Sequence, residues 1–218
     1  MHSAGAANSS RGNGTLSATG PGKETADQYT YDPARPVPTV GGPLCCDSDH
    51  WAPGPRDQRG VEAREDVLVY STPALSQDIE VTGPVSVELY AKSSAADTDF
   101  TAKLVDVWPD GFAQNLTEGI LRARYRESQE NPTMITPGQI YKFTIDLWAT
   151  SNVFKRGHIL RLEISSSNFP RFDRNLNTGD QRPMRSGDAD EIFTKSTNVI
   201  LHDAEHPSAL ILSVVSER

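Results

Sequence analysis

The 218-residue chain lacks the features that mark membrane, secreted and nucleic-acid-binding proteins. No run approaches the roughly 20 apolar residues of a membrane-spanning helix, and the first residues have no apolar core of the kind a secretory signal carries. The net charge of −8 disfavours a nucleic-acid-binding surface. These absences predict a cytoplasmic protein that contacts neither a membrane nor nucleic acid.

Cysteine and histidine are also scarce. Cys45 and Cys46 are adjacent, and a disulfide between neighbours would be strained, so we interpret both as thiols that suit a reducing compartment. A structural zinc site needs about four ligands at set spacings, whereas the five histidines are scattered. His202 and His206 flank a strand end and a proline, so the helical metal motif fails. We predict no metal and no cofactor.

Signatures of catalysis are missing as well. The Gly-x-Ser-x-Gly turn of a serine hydrolase does not occur, and neither does a glycine-rich phosphate loop between a strand and a helix. Ser165–Ser167 follow a predicted strand with no helix behind them, so a polar strand end explains them better than a nucleophile. We therefore predict no catalytic residue in this chain.

Short alternating runs take the place of helical periodicity, which is absent over any ten residues. Apolar and polar residues alternate in eight segments, as in strands with one buried face. These segments are 66–71, 84–92, 100–105, 121–126, 141–147, 159–164, 199–201 and 210–214. Turn signals such as Thr82-Gly83-Pro84 separate them. Eight strands without a βαβ rhythm predict an all-β jelly-roll sandwich, of the galactose-binding-like kind.

The N-terminal part of the chain differs in composition from the rest. Residues 1–28 are rich in small and polar types with almost no large apolar residue, which is typical of a flexible segment. Residues 29–65 carry repeated prolines, which fix φ and remove backbone donors. We predict an extended arm and loops over 29–65, lying across a surface, and the sandwich over 66–218.

Two groups of charged residues leave their roles open. Four aspartates on or after one predicted strand could bind calcium, although solvated strand ends and turn caps explain them equally well. Three arginines on one strand face could bind an anion, or could pair with acidic residues of a neighbouring strand. The aspartates are Asp97, Asp99, Asp106 and Asp110, and the arginines are Arg122, Arg124 and Arg126.

The loop after the sixth predicted strand is unusual because it carries two phenylalanines and two arginines. It reads SSSNFPRFDRNLNTG over residues 165–179. Solvated loops seldom need aromatic side chains. Phe169, Phe172 and Arg174 are therefore expected to pack against this domain, another domain or a ligand.

Four segments, in order along the chain, resemble a known family. They are PVPTVGG (36–42), GPRDQRGVEAREDVLVYSTPAL (54–75), DTDFTAKLVDVWPDGFAQNLTEGILRARYRES (97–128) and the loop 165–179. All are similar to the C-terminal domain of the X-Pro dipeptidyl-peptidase and cocaine esterase-like (CocE/NonD) serine hydrolases, over roughly residues 29–215. The resemblance implies a non-catalytic jelly roll that packs on an α/β-hydrolase domain, which holds the Ser-Asp-His triad and is not in this chain.

The resemblance also implies which residues face that catalytic domain. The arm after the double glycine would approach the mouth of the active site and help to wall the substrate pocket, and the loop would brace it or dock the catalytic domain. The residues placed there are Gly41, Gly42, Pro43, Leu44, Asp57, Gln58, Phe169, Phe172 and Arg174.

Two other interpretations stay open. A stand-alone carbohydrate- or ligand-binding module would need a row of exposed aromatics, whereas Trp51, Trp108 and Trp148 are far apart in sequence. The chain could also be one half of a split gene, or its relic. An isolated accessory domain would expose an apolar former interface, which predicts self-association.

Overall fold

The computed structural model describes residues 1–43, 52–179 and 193–215. Leu44, Cys45, Cys46 and Trp51 lie outside these ranges. The strands in the described ranges are β1 (Asp27–Tyr31), β2 (Leu68–Ser71), β3 (Ile79–Ser93), β4 (Asp99–Val107), β5 (Ala113–Arg122), β6 (Tyr141–Phe154), β7 (Ile159–Ser165), β8 (Ser196–Leu201) and β9 (Ala209–Val214). The helices there are α1 (Arg59–Glu62) and a 3-10 turn at Ala123–Tyr125, and neither is long and apolar enough to cross a membrane.

The strands form two antiparallel sheets. The first sheet has the order β1-β8-β3-β6, with β9 also paired to β3, and the second sheet has the order β2-β7-β4-β5. Most consecutive strands lie in opposite sheets, as in a jelly roll, whereas β4 and β5 share the second sheet and β8 and β9 share the first. The prediction of an all-β jelly-roll sandwich is confirmed.

The apolar positions of the alternating runs meet between the sheets. Phe100 on β4 packs against Phe143 on β6 with ring centroids 4.7 Å apart, and Leu104 and Leu162 are fully buried beside them. Burying apolar surface contributes about 25 cal/mol per Å². The inner faces therefore supply the main hydrophobic stabilisation of the fold.

Two strand boundaries differ from the pattern. The predicted turn at Gly83-Pro84 lies inside β3, where the register shifts between Pro84 and Ser86 and the chain forms a bulge that tolerates proline. At the other boundary, the run predicted over 121–126 ends as a strand at Arg122 and continues as a 3-10 turn. Here local alternation persists after pairing to β4 has stopped.

Residues 1–28, expected to be flexible, pack on the sandwich in the structure instead. Met1, Ala7 and Leu16 belong to the hydrophobic core, and the Ser9 amide donates to the Val67 carbonyl at 2.8 Å. Few large side chains are needed because backbone hydrogen bonds hold the segment. Composition alone therefore mistakes a thin, hydrogen-bonded layer for a free tail.

A buried histidine further fixes this segment. The two ring nitrogens of His202 lie 2.9 Å from Asp27 and 3.1 Å from Glu24, and the Tyr70 hydroxyl donates to Asp27 at 2.8 Å. Burial opposes the charged imidazole, but the hydrogen bonds and charges of the two carboxylates outweigh it and raise the pKa of His202. His202, held between two carboxylates, thus connects the N-terminal segment to the end of β8.

Candidate functional site

The outer face of the second sheet is covered by the β1–β2 connection, residues 32–67, which the structure describes except for 44–51. All nine residues of β4 are buried, so both faces of this strand are excluded from solvent. At one side of the cover, Val37, Val61 and Val67 from the connection pack with Val69 of β2. The described part of the connection thus lies on the outer face of the second sheet.

Charged side chains fill the centre of this covered face. We call them the charge cluster: Glu62, Lys103, Glu118, Arg161, Glu163 and Arg171. Lys103 is the cross-strand partner of Glu118 on β5 and of Glu163 on β7. Its ammonium nitrogen lies 3.5 Å from Glu163 and 3.9 Å from Glu118.

Ion pairs at the periphery of the cluster join it to the connection and to the loop after β7. Arg161 donates to Glu62 of α1 at 2.6 Å and to the Ser71 hydroxyl at 2.8 Å. Arg171, from the loop, donates to Glu118. The cluster holds three cations and three carboxylates, all largely shielded from water, so Coulomb attraction there is weakly screened.

Burial changes the proton affinity of two of these carboxyls. It raises the pKa of Glu163 to about 7, with Lys103 opposing the shift and Glu62 adding to it. Burial also raises the pKa of Glu62, although Arg161 opposes this. A carboxyl that titrates near neutrality inside an ion-pair cluster is a frequent mark of a functional or switching site.

The double glycine of the connection lies directly on the cluster. Gly41 and Gly42 have φ of +71° and +91°, a region that favours glycine. A Cβ at Gly42 would lie 2.7 Å from a Glu118 carboxylate oxygen, and a Cβ at Gly41 would lie 2.4 Å from the Gly54 carbonyl oxygen. Glycine is required here by both conformation and space, and Pro43 follows as an exposed residue.

Gln58 and Asp57, at the start of α1, have different environments. Gln58 is fully buried. It donates to the Val40 carbonyl at 2.9 Å and accepts from Lys103 at 2.7 Å. Asp57 is partly exposed and pairs with Arg59 at 2.5 Å. Gln58 therefore connects the charge cluster to the double-glycine segment, whereas Asp57 lies at the rim.

The loop after β7, here called the aromatic loop (residues 168–179), packs against the connection. The Phe169 amide donates to the Val37 carbonyl at 2.9 Å, and the Thr39 amide donates to the Phe169 carbonyl at 2.7 Å. Arg174 donates to the Pro33 carbonyl at 2.7 Å. Its guanidinium carbon lies 5.9 Å from the centroid of the Phe169 ring. Arg171 lies over Phe172 at 4.9 Å.

Of the nine residues that the resemblance singles out, the structure places three beside the charge cluster and three, Phe169, Phe172 and Arg174, in the aromatic loop. Asp57 lies at the rim, Pro43 is exposed, and Leu44 lies outside the described residues. Gly41, Gly42 and Gln58 adjoin the charge cluster, and the aromatic loop adjoins the segment before them. Phe169 remains 37% exposed, so this seam between the connection and the aromatic loop has a free apolar surface.

Two of the four aspartates that could have held calcium, Asp97 and Asp99, are paired with arginines, whereas Asp106 pairs with His158. Asp99 accepts two hydrogen bonds from Arg122 at 2.9 and 3.0 Å, and Asp97 accepts from Arg124 at 2.8 Å. Asn175 of the aromatic loop donates to both aspartates at 2.8 and 2.9 Å. Among the described residues, no group of three or more potential metal-ligating side chains occurs. The alternative of arginine partners on a neighbouring strand therefore holds for Arg122 and Asp99.

Sequence reasoning missed the charge cluster because strand alternation assigns its members to a solvated face. Glu163, Lys103 and Glu118 alternate in sign only in the spatial order β7-β4-β5, which the sequence pattern does not give. The valines of the connection are a signal, because apolar side chains in a loop are expected to pack against a surface.

The exposed tryptophans do not form an aromatic row. Trp148 lies on β6 and is 71% exposed, and Trp108 follows β4 and is 43% exposed.

Comparison with known proteins places this architecture in a family. Residues 2–211 match the X-Pro dipeptidyl-peptidase C-terminal non-catalytic domain. The chain is 52% identical to a cocaine esterase of Rhodococcus sp. (strain MB1 Bresler) over 211 residues, 97% of this chain and 36% of the relative. It therefore spans about a third of that relative's length.

Two solved structures share the fold over nearly the whole chain. An aminopeptidase from a marine sediment Thaumarchaeota archaeon has a TM-score of 0.83 and 30% identity, covering 96% of this chain and 36% of its own. An alpha-amino acid ester hydrolase has a TM-score of 0.83 and 32% identity, covering 93% and 35%. The chain belongs to the family of X-Pro dipeptidyl-peptidase C-terminal non-catalytic domains, found in CocE/NonD-type hydrolases.

Proposed function

We propose that this chain acts as the accessory domain of an α/β-hydrolase-type serine esterase or peptidase, bracing a catalytic domain and helping to wall its acyl pocket. The observation that carries the proposal is the match to a non-catalytic domain over residues 2–211. The relatives extend well beyond the matched third, and the catalytic domain is proposed to correspond to that remainder. Catalysis by the parent enzyme would hydrolyse acyl esters or X-Pro amides.

The seam between the connection and the aromatic loop supports a docking role. It combines a double glycine with positive φ, a partly exposed Phe169 and an Arg174 side chain that donates to the Pro33 carbonyl. Interfaces between domains of one enzyme are typically mixed surfaces of this kind, with apolar groups surrounded by polar ones. Gly41, Gly42, Pro43 and Leu44 are proposed to lie nearest the substrate pocket.

A chimera tests the proposal. This chain would replace the matching third of the Rhodococcus cocaine esterase, and hydrolysis of p-nitrophenyl esters and X-Pro amides would be measured for the chimera and for the chain alone. We expect turnover of at least one substrate class by the chimera and background rates for the chain. A folded but inactive chimera, or turnover by the chain alone, would contradict the proposal.

Phe169→Ala locates the interface. Because the side chain is partly exposed, its loss should lower the melting temperature of the chimera more than that of the isolated chain. Lys142→Ala, on β6 of the first sheet, serves as the matched surface control and should affect both equally. Equal effects of Phe169→Ala on both proteins would place the interface elsewhere.

The isolated chain is also proposed to self-associate and to work in the cytoplasm. Val214 and Val215 at the end of the described chain are about half exposed, at 58% and 46%, and Trp148 is largely exposed. Exposed apolar surface of this kind favours association. Sedimentation over a concentration series should show species larger than a monomer.

A further inference from the structure

The covered face of the second sheet contains more buried acceptors than donors. Within the described residues, the unpaired oxygens in and beside the charge cluster are Glu62 Oε1, Glu118 Oε2, Glu163 Oε1 and Asn168 Oδ1. A buried carboxylate oxygen without a donor costs about 1–3 kcal/mol or more. These oxygens therefore need further hydrogen-bond donors.

The cations of the cluster are already engaged. Lys103 donates to Gln58, Arg161 donates to Glu62 through that carboxylate's other oxygen and to Ser71, and Arg171 donates to Glu118. The other acidic group near Glu62 is Asp57, which raises the pKa of Glu62 and is itself paired with Arg59. None of these contacts supplies a donor to Glu62 Oε1 or Glu163 Oε1.

A water molecule in a small cavity could donate to some of these oxygens, but not to Glu62. The cavity measures about 10 Å³ and is lined by side chains that include Lys103, Glu118, Glu163 and Asn168. This volume is close to that of a single water molecule, which could donate to Glu118 and Asn168. Glu62 does not line the cavity, so its free oxygen needs a different donor.

Glu163 is the group placed to provide it. Arg161 and Glu163 lie two residues apart on the same face of β7, and Arg161 donates to Glu62 at 2.6 Å, so the Glu62 carboxyl lies over the part of β7 that carries Glu163. A hydrogen bond from Glu163 favours the charged form of Glu62. The negative charge of Glu62 in turn disfavours a charge on Glu163. Two buried carboxyls that share a site hold a proton that neither would hold alone.

We propose that Glu62 and Glu163 share one proton at neutral pH as a carboxylic acid–carboxylate pair, and that this proton holds helix α1 and the β1–β2 connection on the sheet. Protonated Glu163 donates its O–H to the free oxygen of Glu62. When the pair loses the proton to solvent, two adjacent negative charges remain on opposite sides of the boundary, and Lys103 and Arg161 compensate them only in part.

The direction of the pH dependence follows from the raised pKa. The stabilisation is fully present below the ordinary glutamate pKa and is lost as pH rises through about 7, the value that burial gives to Glu163. Because Gln58 joins Lys103 to the Val40 carbonyl, loosening of α1 also reaches the double glycine. This inference concerns the chain alone and does not depend on a catalytic domain.

Carboxyl carbon NMR of the wild-type chain tests the shared proton directly. We expect one glutamate carboxyl to titrate near neutral pH while exposed glutamates titrate near about 4.3. Glu163→Gln, which keeps a donor toward Glu62 without an ionisable proton, should remove the near-neutral titration. If every glutamate of the folded wild type titrates in the ordinary acidic range, the proposal is wrong, and this test needs no variant.

Amide hydrogen exchange tests the link to the connection. After correction for intrinsic rates, protection of the Val61 and Glu62 amides should fall by about tenfold per pH unit above the pKa of the pair. Glu163→Gln should abolish this dependence. Glu65→Gln, an exposed position of the same connection, is the matched control and should behave like the wild type. A Glu163→Gln chain that keeps the wild-type pH dependence would overturn the proposal.

Discussion

The two faces of β4 are both buried, yet they are stabilised by opposite chemistry. The inner face carries Phe100, Ala102 and Leu104 in the hydrophobic core, while the centre of the outer face carries Thr101 and Lys103 under the β1–β2 connection. Farther along the outer face, Val105 and Val107 belong to a small apolar cluster. Burial on both faces therefore does not require two apolar faces. It requires that each face meet a layer with matching chemistry.

The difference has an energetic consequence. Apolar burial is non-directional and scales with area, so the inner face depends little on protonation. Buried ion pairs recover their desolvation cost only when each partner is present, so the outer face depends on composition and on pH. Paired substitutions at neighbouring positions of one strand can separate these two kinds of stabilisation.

Leu104→Ala is expected to have the largest effect. It removes a fully buried side chain from the inner face and leaves a cavity, which should lower the free energy of unfolding by about 2–5 kcal/mol. Because Leu104 packs in the hydrophobic core, the loss should be the same at about pH 5.5 and pH 8. Urea unfolding at both pH values measures it, and a clear pH dependence would show that the faces are not independent.

Lys103→Met, at the adjacent position, is expected to come next. It leaves Glu118 and Glu163 buried beside each other without their shared cation, which should cost about 3 kcal/mol near pH 8. Without Lys103 the pKa of Glu163 should rise further, so the cost should shrink toward pH 5.5 as Glu163 binds a proton. Urea unfolding at the same two pH values measures this. An equal loss of stability at both would contradict stabilisation of the outer face by charges.

Sequence patterning predicts the inner face well. Alternation in the segments around β3, β4, β6 and β7 identifies both the strands and their buried side, because the hydrophobic core rewards period-two burial directly. Pattern alone does not give strand order or the β3 bulge between Pro84 and Ser86, since both depend on which strands pair. Composition does not predict that the N-terminal segment packs on the sandwich, because backbone hydrogen bonds and the buried His202 attach it.

The outer face is harder to predict. Lys103 and Glu163 look like solvated strand positions, and only the three-dimensional path of the connection reveals that they are buried. The resemblance to a known family does select Gly41, Gly42 and Gln58, which the structure places beside the charge cluster. It offers no indication of Glu62 or Glu163, because the cost of burying a charge depends on partners that are distant in sequence.

Gly42→Ala should have a moderate effect by disturbing the contact between the connection and the cluster. An alanine here would have to keep a φ of +91°, and its methyl group would lie 2.7 Å from a Glu118 carboxylate oxygen. We therefore expect the free energy of unfolding to fall by about 1–3 kcal/mol. Gly138→Ala is the matched control, because its φ is +82° and nothing lies within 4 Å of the added methyl. The loss in stability caused by Gly138→Ala measures backbone strain alone. The additional loss caused by Gly42→Ala measures the steric clash with Glu118. Equal losses would mean that the cluster adapts without cost.

Asp57→Asn should have the smallest effect, although Asp57 lies one residue from Gln58 and pairs with Arg59 at 2.5 Å. The hydrogen bond from Arg59 lowers the pKa of Asp57, so its contribution is present above the ordinary aspartate pKa and is lost as pH falls through the lowered value. Water and salt screen this rim pair, so the melting temperature should change by no more than about 2 °C near neutrality. Added salt should reduce the change further. If Asp57→Asn lowered stability as much as Lys103→Met does, Asp57 would belong to the buried charge cluster and not to the solvated rim.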